Sequence, residues 1–159
     1  MTHSNVRKAG EVVINSIDML SEFERTCVLI LRHANYLYET DLSSEIPKNI
    51  KNLFTNRFGK YLITDLITIF STYYLRPIVR HQPNCMCVGA DENVFANILR
   101  FSLDDQENEV KILGSLLIKP SQLENLVKKA KVVAFLIDED LKKTLLEPKS
   151  TQTFYNYLH

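Results

Sequence analysis

Apolar residues near the start of the chain recur at steps of three and four. Val6, Ala9, Val13, Ile17 and Leu20 form one stripe, the spacing of a helix face. The chain then reads Ser21-Glu22-Phe23-Glu24, a capping box. The serine hydroxyl accepts from a free amide while the second glutamate reaches back to the serine N–H. The pattern therefore predicts one helix ending near Leu20 and another starting at Glu22. The second presents Phe23, Cys27, Ile30, Leu31, Ala34 and Leu37 on one face and ends near Glu39. Pro47 suits the first turn of a third helix, where a missing amide costs nothing. Ile50, Leu53 and Phe54 face inward from it, and Gly59 is its expected C-cap. A fourth helix is expected from about Lys60 to Leu75. Its apolar residues, Leu62, Leu66, Ile69, Phe70 and Tyr73, go nearly all round, so it should be the central one, with Pro77 as its stop.

The second half has another texture. Val94–Leu103 and Glu109–Ile118 flank the polar run Asp104-Asp105-Gln106-Glu107-Asn108. Phe95, Leu99, Phe101 and Leu103 fall near a period of two, and the expectation is a hairpin with a long loop. Two helices are the alternative, because Val94, Phe95, Ile98, Leu99 and Ile112, Leu113, Leu116, Leu117 also match a helix template. Ser121 and Glu124 form a second capping box ahead of a short helix. Lys131–Asp138 reads either as a buried β-branched strand or as a continuation of that helix, and Pro148 closes the last helical turns. Between the halves, Pro83 and Asn84 begin an extended step. Cys85, Cys87 and Val88 fit a short edge strand, and residues 89–93 a turn.

These elements predict an α+β fold: a helical N-terminal half of about four helices, packed with a small antiparallel sheet and C-terminal helices, with all-α as the alternative. One compact domain over 1–159 is expected. It has a helical half at 1–76, a mixed half at 83–147 and a mobile tail at 149–159. Composition supports a folded chain, since apolar residues make up 45% and charged residues 24% of it. The most apolar stretch, Tyr61–Leu75, carries Asp65 and falls short of the roughly 20 residues of a membrane span. No apolar core follows the basic start of the chain, so no secretory signal is expected. The cysteines number 3, an odd count that argues against a disulfide framework and for a cytoplasmic, reducing location.

Charge narrows the partner classes. Lys+Arg and Asp+Glu are both 19, so the net charge is zero and the basic excess of a general nucleic-acid binder is missing. One local exception is Lys48, Lys51, Arg57 and Lys60, with asparagines interleaved and no acid between Pro47 and Tyr61. Such a face could contact phosphates, or it is an ordinary solvated helix face. The tail residues Phe154, Tyr155, Tyr157 and Leu158 are apolar or amphipathic, and aromatics are enriched at interface cores.

His81, Cys85 and Cys87 are the candidate metal or redox site, because imidazole and thiolate suit zinc or copper(I). A structural site wants four ligands, and only Cys27 and His33 on the second helix could complete it. Otherwise Cys85 and Cys87 are two small side chains in a strand. Glu109-Val110-Lys111 matches the E-x-K pattern of metal-dependent nuclease strands, with Asp91 or Asp104 as a second carboxylate. No P-loop, G-x-G-x-x-G or G-x-S-x-G occurs, so no cofactor and no catalysis are expected. The chain reads as a non-catalytic interaction protein, an adaptor, chaperone or complex subunit. Its partner is another protein or a second copy, and nucleic acid is the alternative.

Overall fold

A computed structural model describes residues 13–39 and 45–146. The architecture is α+β, dominated by helices, with one two-stranded antiparallel sheet. In chain order the elements are β1 (Val13–Ser16), α1 (Glu22–Arg32), α2 (Lys48–Thr55), α3 (Arg57–Thr72), β2 (Cys87–Gly89), α4 (Ala90–Leu103), α5 (Glu107–Gly114) and α6 (Leu123–Leu146). Short 3-10 turns at Ile17–Met19, Ala34–Tyr38 and Pro120–Gln122 join some of them. No described helix is long and apolar enough to cross a membrane.

The start of α1 is set locally. Ser21 accepts from the Glu24 amide at 3.2 Å and Glu24 accepts from the Ser21 amide at 3.3 Å, so both halves of the capping box are present. Of the expected helix before it, residues 6–12 lie outside the described residues. Its last turns are instead β1 and a 3-10 turn. Val13 and Ile14 are both exposed, so β1 is held by its backbone. It pairs Val13 with Gly89, Asn15 with Val88 and Ser16 with Cys87, with an irregularity between Val13 and Asn15. The extended step is therefore a strand at Cys87–Gly89, as the sequence suggests for Cys87 and Val88, but Cys85 precedes it and residues 90–93, expected as a turn, open α4.

Pro47 stands at the N-cap of α2, one place before its first turn. Asn56, not Gly59, separates α2 from α3. Its side chain accepts from the Phe58 and Gly59 amides at 3.0 Å each and caps α3. Gly59 is buried in the first turn of α3, where an added Cβ would lie 3.0 Å from the Leu53 carbonyl oxygen. The helix stops at Thr72, before Pro77, and Tyr73–Leu75 then runs beside Leu117–Lys119 through two backbone hydrogen bonds of 2.9 Å.

The expected hairpin over 94–118 is overturned: the two segments are the helices α4 and α5. Phe95, Ile98, Leu99 and Ser102 repeat at three and four residues on the buried face of α4. The polar run between the segments is a helix terminus. Asp105 takes a left-handed φ of 57°, the Gln106 amide reaches the Phe101 carbonyl, and the Asp105 amide reaches that of Ser102. This is a Schellman stop made by aspartate where glycine is usual. Of the two readings of Lys131–Asp138 the helical one holds: it is the middle of α6, with Leu126, Ala130, Val133, Ala134 and Ile137 buried along one stripe. Ser121 lies in the 3-10 turn before α6, which begins at Leu123.

The core joins the two halves of the sequence. α1 packs on α4, α3 on α6, and α4 on α6. Phe70 of α3 meets Phe95 of α4 edge-to-face at 5.3 Å, a favoured aromatic geometry. Asp65 of α3 and Lys129 of α6 pair at 2.6 Å beside this core.

Candidate functional site

The stretch from Arg76 to Gly89 contains only the three residues of β2 as regular structure, yet charged side chains from neighbouring helices hold it closely. Arg32 is the last residue of α1 and Glu92 lies in the first turn of α4. Their side chains are fully buried and pair at 2.8 Å. Removing two charges from water is costly, so such a pair persists only when every remaining polar atom is also used. Here they are used on the seam. Arg32 donates to the Cys85 and Cys87 carbonyls, both at 2.6 Å, and Glu92 accepts from the His81 amide.

Asp91 does the same next door. Arg76 grips it with two parallel bonds of 2.7 and 2.8 Å, and the Val79 amide donates to it at 2.9 Å. The hydrogen bonds to Asp91 hold the Arg76 guanidinium above its ordinary value, against the opposing effect of burial. Arg80 donates to the Leu31 carbonyl at 3.0 Å, and the Ile17 amide donates to the Met86 carbonyl at 2.8 Å. The seam is thus fastened to α1, to α4 and to the 3-10 turn after β1.

Within it, His81 Nδ1 lies 3.7 Å from Cys85 Sγ, and the Cys87 amide donates to that sulfur at 3.4 Å. His81 Nε2 is buried and finds no hydrogen-bond partner among the described residues. None of the three cysteines is in a disulfide. The structure brings His81 and Cys85 together but does not bring Cys27 or His33 to them. Cys27 is in the core, where burial first and the Glu24 charge second push its thiol well above its ordinary value, opposed by a backbone hydrogen bond. His33 is buried with Nδ1 at 2.8 Å from the Leu29 carbonyl. Among the described residues no group of three or more His, Cys, Asp or Glu side chains could hold a metal ion.

Beside the seam lies a cleft of about 430 Å³. Leu31 and Ala34 form one wall, Ile67, Phe70 and Tyr74 another, and Ile78 a third, with Asn35, Ser71 and Arg80 supplying polar groups. The bonds from the Val79 amide to Asp91 and from Arg80 to the Leu31 carbonyl set the third wall in place.

The remaining candidates fall elsewhere. Lys48, Lys51 and Arg57 are exposed on α2 and the start of α3, while Lys60 is partly buried and donates to the Glu39 carbonyl at 2.8 Å. Glu109 and Lys111 lie on a helix, so the strand arrangement of an E-x-K nuclease is absent there. Lys111 pairs with Glu124 at 2.6 Å, and Asp91 is taken by Arg76. Phe154, Tyr155, Tyr157 and Leu158 lie outside the described residues. Sequence reasoning missed Arg32, Arg76, Arg80 and Glu92. The available signal was an arginine closing the apolar run Val28–Leu31 and two adjacent acids, Asp91 and Glu92, just before another apolar run. Comparison with protein-family models, curated proteins and solved structures finds no match to this chain.

Proposed function

We propose that this chain is a non-catalytic protein-interaction module, an adaptor, chaperone or complex subunit of a reducing cellular compartment. The surface that acts is the cleft between the ends of α1 and α3. One observation carries the reading: the cleft is apolar on three walls, and one of them is a loop fixed by two buried acids. Pockets of this size with apolar walls and few polar groups are common binding sites. Exposed tyrosines at its edges, Tyr38 and Tyr74, supply the amphipathic contacts that protein partners use. Zero net charge leaves little repulsion against a partner or a second copy. Support also comes from three cysteines outside any disulfide, which suits a reducing environment.

A photo-crosslinking side chain at Ser71, inside the cleft, tests this against one at Glu107 on α5. The expected result is a discrete adduct from position 71 only, abolished by Ile78→Asp, which puts a charge into the cleft wall. Equal adducts from both positions, or none from position 71, would overturn the reading.

A further inference from the structure

Among the described residues that line the cleft, Arg80 alone is charged. Its guanidinium donates to the Leu31 carbonyl at 3.0 Å, which holds it at the α1 end of the cleft. A guanidinium carries its N–H donors in a planar fork suited to carboxylates, and most of this fork stays unused. No carboxylate of the described residues pairs with it. The acids that fasten the seam are already taken, Asp91 by Arg76 and Glu92 by Arg32. Three arginines thus stand against two buried acids, and Arg80 carries the surplus.

An exposed cation by itself defines no site. The setting of Arg80 does. The floor of the cleft is Leu31, Ala34, Ile67 and Phe70, all buried. The rim is exposed and polar. Asn35, Tyr38 and Tyr74 present an amide and two hydroxyls that no group of the described residues engages. An apolar floor with one unpaired guanidinium at its edge is complementary to a bulky apolar group joined to a carboxylate. A free fatty acid has that chemistry, but its chain leaves the rim donors idle. A peptide main chain offers them carbonyls.

We infer that the cleft takes a short acidic-apolar segment of a partner protein, with a large apolar side chain on the floor and an Asp or Glu carboxylate on the Arg80 guanidinium. This rests on the docking role proposed above and adds the chemistry of the partner. The Val79 and Arg80 hydrogen bonds then do more than hold a loop. They set how far the cation stands from the apolar floor, and so how closely the acid must follow the apolar residue in the partner.

The test is a phage-displayed library of random linear peptides, selected on the full chain and counter-selected on Ile78→Asp. The expected winners carry Leu, Ile or Phe with Asp or Glu within a few residues. As fluorescein-labelled synthetic peptides they should bind in anisotropy and weaken with added salt. Exchanging their acid for its amide should cost roughly tenfold in affinity, the range of one hydrogen bond to a charged group. Arg80→Gln, which keeps a donor for Leu31, should cost the same and make that exchange silent. Acid-free winners, or an exchange that costs nothing on the wild-type chain, would overturn the inference and leave docking in the cleft standing. Neither result needs a protein variant at Arg80, so a misfolded Arg80→Gln does not leave the matter open. An exchange as costly on folded Arg80→Gln as on the wild type would also sink it. A dimer that Ile78→Asp dissolves would put a second copy in the cleft and overturn this inference alone. No winner over Ile78→Asp, or sodium decanoate bound there in place of any peptide, would overturn the inference and the docking role together.

Discussion

Arg32 and Glu92 have side chains with no exposure at all, and each is committed twice, to its partner and to seam backbone. Arg32→Met alone leaves a buried carboxylate unpaired, and Glu92→Leu alone leaves a buried guanidinium. Each should cost about 3–5 kcal/mol in urea unfolding. In an isolated pair the double apolar variant would recover nearly all of that. Here it should recover only part, because the Cys85 and Cys87 carbonyls and the His81 amide remain without their partners. Full recovery in the double variant would show that the backbone bonds are idle. A surface pair behaves differently. Lys111 lowers the Glu124 carboxyl below its ordinary 4.5, by hydrogen bond first and charge second, and Glu124 raises Lys111 above 10.5. A lowered acid stabilises the fold above its unfolded value, and that contribution is lost as pH falls through the folded value. A raised base contributes below its unfolded value and loses its effect as pH rises through the folded one. Glu124→Gln should therefore flatten the unfolding midpoint against pH at both the acid and the alkaline end. Glu124 is exposed and Lys111 only half-buried, so added salt should shrink the difference from wild type.

Elements defined by local signals were legible. The Ser21 box fixes the start of α1 because its donors and acceptors are three residues apart, and Ser21→Ala should cost about 1 kcal/mol. The place of the break between α4 and α5 was legible in the polar run Asp104–Asn108, but its nature as a helix stop was not, because the stop is made by Asp105 in a conformation normally signalled by glycine. Without that signal the two apolar runs fit a hairpin as well as helices. The α5–α6 contact adds a constraint that the sequence hides. Gly114 closes α5 against α6, where an added Cβ would lie 2.5 Å from Leu126 Cδ2 and 3.1 Å from Leu123 Cδ2. Leu126 is fully buried and has little room to swing away. Gly114→Ala gains about 0.5–1 kcal/mol of helix propensity, but overpacking of about 1–3 kcal/mol should win. In a double-mutant cycle with Leu126→Ala, the combined loss should fall short of the sum, because the smaller side chain admits the new methyl. Strict additivity would mean that the backbone has shifted instead. The candidate site was the least legible part. His81, Cys85 and Cys87 stand out by residue type, but Arg32 reads as an ordinary cation inside a helix expected to run on to Glu39, and its partner lies 60 residues further on.

At the scale of the whole molecule the sequence suggests a helical half and a mixed half, whereas the structure interleaves them. α1 from the first packs on α4 from the second, and α3 on α6. The sheet takes one strand from each half, and Lys129 reaches Asp65 across 64 residues. Neither half then has a complete apolar face of its own. A fragment ending before Pro83 retains Arg32 but lacks Glu92 and the Cys85 and Cys87 carbonyls, so it would expose the face of α1 and strand a charge meant for burial. The expected outcome is that fragments 1–82 and 83–159 are each largely unfolded alone. The intact chain should lose secondary and tertiary structure in one coincident transition, followed by far- and near-ultraviolet circular dichroism in urea. Two separated transitions, or a folded isolated fragment, would show that the halves are independent units and that the Arg32–Glu92 pair joins two lobes rather than one core. Arg32→Met separates these cases further. In an interleaved fold it lowers the single midpoint for every probe, whereas in a two-lobe protein it would loosen the seam and leave the helical half at its own midpoint.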